Sequence, residues 1–70
     1  MRVVIVDPRP ITGEVLRYVL AEAGHEVILV QSGAAAIRAV VDGGVDAVLL
    51  EAQLPDLDGW ELCKELRGRR

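Results

Sequence analysis

The sequence predicts an α/β fold built on a parallel sheet, and three observations carry that prediction. Three short apolar runs, Val3-Val4-Ile5-Val6, Glu26-Val27-Ile28-Leu29-Val30 and Ala47-Val48-Leu49-Leu50, lack the polar alternation of a strand with one wet face. The segments between and after them repeat their apolar residues at helical spacing. Strand, helix, strand, helix, strand, helix is the alternation of parallel strands joined by right-handed crossovers. No repeat, low-complexity tract or linker interrupts it.

Taken in order, Val3 to Val6 is β-branched throughout and ends at Asp7, so it reads as a buried strand. Pro8 and Pro10 forbid its continuation, and Pro10 suits a helix start, where its missing N–H costs nothing. From Ile11 the positions Val15, Leu16, Val19, Leu20 and Ala23 are expected to form one buried face. Gly13 in that helix reads as a mild defect of ~1 kcal/mol relative to alanine. Gly24 ends the helix in the left-handed conformation. The second strand spans Glu26 to Val30. Ser32 is an N-cap for a helix burying Ala36, Ile37, Val40 and Val41, and Gly43-Gly44 stops it. The third strand is expected to be buried on both faces. Asp58 and Glu61 are spaced as a capping box at the start of the last helix, whose buried positions are Leu62, Cys63 and Leu66, with Trp60 assigned to the core.

Composition narrows the function classes. Seventy residues with 51% hydrophobic content form at most one small domain, with a core of Val, Leu, Ile and Ala, since Tyr18 and Trp60 are the only aromatics. The net charge of −3 is scattered, and the Arg67, Arg69 and Arg70 cluster is slight support for nucleic-acid binding. Cys63 is the only cysteine, which excludes an intrachain disulfide; it reads as a small buried hydrophobe. No apolar run has the length of a bilayer span, and the N-terminus does not read as a signal peptide, so a cytoplasmic protein is expected.

The chemistry concentrates after the third strand, where an apolar run ends in Glu51 and a Pro-containing loop leads to Asp58-Gly59. Open α/β sheets place functional groups at the C-terminal ends of their strands. Asp7 and Glu51 occupy two such ends and would meet if the first and third strands were neighbours. Two close carboxylates repel unless a cation intervenes. Arg9, two residues past Asp7, and a divalent cation are the two candidates.

The chain resembles the receiver domain of two-component response regulators from about Val3 to Leu66. The resemblance rests on Val3 to Val6 followed by Asp7, on Ala23-Gly24-His25-Glu26-Val27, on Ser32-Gly33 followed by Ala36, and above all on Leu54-Pro55-Asp56-Leu57-Asp58-Gly59. It implies a partial flavodoxin-like fold with parallel strands in the order 2-1-3 and three helices. It also implies that residues 1–70 are the N-terminal part of a receiver domain. Gln53, Pro55, Asp58 and Gly59 would then form the loop after the site.

Receivers take a phosphoryl group from a histidine kinase onto an aspartate ending the third strand. An acid pair after the first strand holds Mg²⁺, and a hydroxyl residue and a lysine end later strands. Here Glu51 stands at the phosphoacceptor position, Asp7 matches the first acid, and Pro8 replaces the second. The hydroxyl residue and the lysine have no counterpart in these 70 residues. Asp7 and Glu51 are thus the remaining metal candidates, with Mg²⁺ binding weakened by Pro8 and by the longer side chain. One added methylene moves a carboxylate by about 1 Å, enough to spoil phosphoryl-transfer geometry.

The expectation is therefore a degenerate receiver-like signalling module that acts by protein–protein contact without phosphotransfer. The alternative is the N-terminal fragment of a longer response regulator with a downstream, DNA-binding output domain. An enzyme on half a doubly wound fold is disfavoured. Asp7 to Gly13 is no glycine-rich phosphate cradle, and His25, the single histidine, is placed by the resemblance at the far end of the sheet. Partners are expected to be a histidine kinase, another signalling protein, or a second copy paired through the third strand, which becomes an apolar edge. No membrane contact is expected, and nucleic-acid contact only through an output domain.

Overall fold

β1 (Arg2–Val6) runs through the middle of the molecule, hydrogen-bonded in parallel to β2 (Glu26–Val30) on one side and to β3 (Ala47–Leu50) on the other. The computed structural model describes residues 1–51, 54, 56 and 58–68. The sheet order is β2-β1-β3, as the resemblance implied. Register pairs Val6 with Val30 and with Leu50, so all three strands end at one level.

Helices α1 (Pro10–Glu22), α2 (Gly33–Val41) and α3 (Gly59–Gly68) follow the strands in turn. The chain steps from β1 to β2 and then back across β1 to β3. Reversing direction with crossovers of one hand places successive helices on opposite faces of the sheet. Val4 and Val6 accordingly share a buried cluster with Ala36 of α2 and Leu62 of α3, edged by Ile28, Val30, Val48 and Leu50. α1 covers the other face, next to β1 and β2. Only β1 is buried on both faces, in keeping with its β-branched residues Val3 to Val6.

The helix ends follow the sequence closely. Gly24 takes φ 96°, and its N–H and that of His25 donate to the carbonyls of Ala21 and Leu20, a Schellman closure. Gly43 and Gly44 also have positive φ. Ser32 Oγ accepts from the Ala35 N–H at 3.2 Å, and Asp58 Oδ1 accepts from the Glu61 N–H at 2.8 Å, the Asp58 half of the expected capping box.

Burial corrects several expectations. In α1 Gly13 is buried and Leu20 half-buried, whereas Val15, Leu16, Val19 and Ala23 are exposed, with Leu16 the least open of their large side chains, and Ile11 and Tyr18 lie outward with them. The apolar arc of this helix spans about half its circumference, so spacing alone did not decide which part turns inward. Gly13 is no defect. A Cβ there would sit 2.9 Å from Leu29 Cδ1 and 3.6 Å from Asp7 Cβ, so the glycine lets α1 lie close on β1 and β2. β3 is an edge and not a doubly buried strand, with Leu49 on the α1 face 44% exposed. Val41 is exposed at the last turn of α2, Cys63 is half-buried, and Trp60 is 80% exposed.

Candidate functional site

Two backbone hydrogen bonds carry the sheet one residue beyond its strands. Asp7 N–H donates to the Val30 carbonyl at 3.0 Å, and Glu51 N–H donates to the Val6 carbonyl at 2.9 Å. Both carboxylates are therefore fixed at the same end of neighbouring strands, where the sequence expected them to meet. Asp7 is buried, and Glu51 is about one-third exposed, with a side-chain relative exposure of 30%.

Arg9 joins them. The residue before a proline is pushed into the extended region, and Arg9 ahead of Pro10 has φ −86° and ψ 115°. That conformation turns the chain back on Asp7, whose Oδ1 accepts from the Arg9 N–H at 2.9 Å, an Asx-type turn. The guanidinium then grips Asp7 with both faces of its fork, Nε to Oδ1 at 3.0 Å and Nη2 to Oδ2 at 3.2 Å. Nη2 also reaches Glu51 Oε2 at 2.5 Å. Arg9, one of the two cations weighed for the acid pair, thus bridges both carboxylates.

The electrostatics follow from these contacts. The Arg9 side-chain hydrogen bonds, then its backbone N–H, hold the Asp7 carboxyl below its ordinary value of 3.8, against burial, which pushes it up. The hydrogen bond to Asp7 raises Arg9 in return. A carboxyl lowered in the folded chain releases its proton more readily there than in the unfolded chain. Its stabilisation is complete above about pH 4 and is lost as pH falls through the depressed folded value. Thermal melts of the wild type should show Tm declining below about pH 4. Asp7→Asn should start from a lower Tm at neutral pH and decline less steeply with acid. Parallel pH profiles for the two proteins would exclude Asp7 as a source of the acid sensitivity.

The expected loop is only partly described. Gln53 and Pro55 lie outside the described residues, and the expectations for them stand untested. Gly59 is buried at the first turn of α3, and Asp58 caps that turn. Asp56 has a role the sequence reading missed. Its Oδ1 accepts from the Gly33 N–H at 2.8 Å and its Oδ2 from the Ala34 N–H at 3.0 Å, tying the loop after β3 to the start of α2. A signal existed: Ser32 satisfies only one of the free N–H groups there, and the first turn of α2 carries no acid of its own. His25 lies at the opposite end of the sheet, 3.2 Å from the N-terminal amine.

The family model described as the response regulator receiver domain matches residues 3–70. The chain belongs to this family. Transcriptional regulatory protein TcrA of Mycobacterium tuberculosis is 40% identical over all 70 residues, and Response regulator MprA of a Mycobacterium species is 37% identical over 68. The chain spans 28% and 30% of those two regulators, less than a third of either. Among solved structures, a two-component response regulator from Clostridium difficile superposes with TM-score 0.94 at 30% identity, over all of this chain and 58% of that one. The receiver domain of the sensor histidine kinase PA1611 from Pseudomonas aeruginosa, solved with magnesium in its active-site cleft, gives 0.92 at 30% identity, over 99% of this chain and 57% of that one.

Measured against a magnesium-holding receiver, the residues of this chain do not fit the ion. Mg²⁺ needs near-octahedral oxygen ligands at close range. Pro8 brings no side-chain oxygen, and both carboxylates are engaged by Arg9. Among the described residues no group of three or more acids, histidines or cysteines converges on a point. No helix of the described residues is long and apolar enough to cross a membrane.

Proposed function

We propose that this receiver acts as a signalling module of a two-component phosphorelay through protein–protein contact, without accepting a phosphoryl group and without enzymatic activity of its own. One observation carries the reading: at the end of β3 a glutamate stands at the reacting position, with its carboxylate bonded to Arg9. An attacking carboxylate oxygen has to be free and in line with the phosphorus, with a metal or cation on the phosphoryl oxygens. The Glu51 carboxylate is longer than an aspartate and is spent on a cation that belongs to the chain itself.

The contact surface is apolar. Ile11, Val15 and Tyr18 form an outward stripe on α1, between 56% and 80% exposed, and the β3 edge offers Leu49. A histidine kinase, another signalling protein or a second copy paired along β3 are the partners this surface suits. One solved neighbour, of 30% identity and TM-score 0.92, is the response regulator TrrA in complex with the histidine kinase ThkA. The cytoplasm is the compartment that goes with such partners.

Incubation with acetyl phosphate and Mg²⁺, followed by intact-mass measurement, tests the reading. No mass increase is expected, and an increase of one phosphoryl group mapped to Glu51 would overturn it.

The second reading takes residues 1–70 as the N-terminal part of a receiver within a longer regulator, with an output domain, DNA-binding in the runner-up form, downstream. The 28% and 30% coverage of the longer regulators favours it. Transcript sequencing across the codon for Arg70 tests it, and a continuous reading frame encoding the remaining receiver strands is the expected result. A stop codon there, with no receiver-like sequence in any frame beyond it, would remove this reading.

A further inference from the structure

We infer that Arg9 is the resident cation of this site, and that it closes the Asp7–Glu51 pair to divalent metal. The inference deepens the reading without phosphotransfer and rests on it in one respect, that Glu51 is not a reacting group. Three features of the chain converge on it. Pro8 leaves the first turn one carboxylate short, so the local acids are two and not three. Pro10 holds Arg9 in the extended conformation that points its fork back at Asp7. The guanidinium lies across both strand ends, with Nε and Nη2 on Asp7 and Nη2 on Glu51.

A single Arg cannot supply what a dication does. It offers fixed N–H donors in a plane and no coordination site at which a phosphoryl oxygen and exchangeable waters could share one metal centre. It also makes the closed arrangement permanent, because the cation is covalently attached through the β1–α1 turn. The surface formed by the start of α1 and the end of β3 is then held in one state, independent of metal concentration. A partner of this module meets the same surface with or without Mg²⁺.

Removing the guanidinium should uncover a weak metal site, since Mg²⁺ is commonly held through one or two carboxylates with waters completing the shell. The test is titration of the wild type, Arg9→Ala and Arg9→Met with MnCl₂ and MgCl₂. Water-proton relaxation reads the Mn²⁺ and calorimetry the Mg²⁺, with circular dichroism recording the fold of each protein. Binding at least about tenfold tighter in the variants than in the wild type is expected. Arg9→Met keeps the aliphatic stem and supplies the comparison should Arg9→Ala not fold. Adding Asp7→Asn to the Arg9→Met protein should abolish the gain.

Equal binding by wild type and variants would overturn the inference, because Arg9 would then not be what excludes the ion. A lack of binding in whichever of Arg9→Ala and Arg9→Met folds, with Asp7 intact, would overturn it too, since the acid pair alone would be no metal site. Neither result touches the absence of phosphotransfer, which the acetyl phosphate experiment tests on the wild type.

Discussion

Leu62→Ala is expected to remove a large share of the chain's stability. Leu62 is 0% exposed and closes the cluster of Val4, Val6 and Ala36, so it is the point where α3 holds to the sheet. Truncating a fully buried leucine costs about 2–5 kcal/mol, the lost transfer energy plus the cavity left behind. A chain of this length has about 4–10 kcal/mol in total, and a small domain lies at the low end of that range. Urea titration followed by circular dichroism should show the midpoint falling by about 2 M or more, at the slope usual for small proteins. Trp60→Ala, two positions earlier in the same helix, is the control. Trp60 is 80% exposed, so its removal should change stability by no more than about 0.5 kcal/mol. If the tryptophan variant proved the weaker of the two, α3 would be packed by a different face.

Asp56→Ala should cost about 1–2 kcal/mol, as expected for a carboxylate that caps a helix with charge-assisted bonds. The side chain accepts from two N–H groups at the start of α2, where a negative charge also meets the positive end of the helix dipole. Hydrogen exchange should localise the loss, with the Gly33 and Ala34 amides exchanging faster while Ala35, bonded to Ser32, changes less. Asp56→Asn keeps an acceptor oxygen and should recover part of the loss. Unchanged exchange at Gly33 and Ala34 in the alanine variant would show that the loop is not tied to α2 in solution.

Much of this site was legible before any coordinates. Asp7 and Glu51 end apolar strands, and Arg9 lies within reach between two prolines, so an acid pair needing a cation was legible, with Arg9 and a divalent ion as the two candidates. What spacing did not reveal was which apolar residues turn inward. α1 carries Ile11, Val15, Leu16, Val19 and Leu20 around about half its surface, and its seating on Gly13 leaves Leu20 half-buried and the other four exposed. Trp60 failed for a similar reason: size argued for the core, but the first turn of α3 directs it outward while Leu62 turns in. The unsatisfied start of α2 signalled that an acid was needed, but not that it would be Asp56, whose partners are 22 and 23 residues away.

The sequence by itself determined the order of the elements, most of their ends and the receiver-like fold, with a glutamate ending the third apolar run. Those depend on short-range physics: β-branched runs, prolines that end strands, glycines with positive φ, and hydroxyl or carboxylate caps. Only the tertiary structure decided that one Arg9 guanidinium bridges Asp7 and Glu51 together, that Asp56 caps α2, and that Leu49 on the expected β3 edge is half open. Each depends on how whole strands and helices lie against one another, which sets which groups come within hydrogen-bonding distance and which stay uncovered.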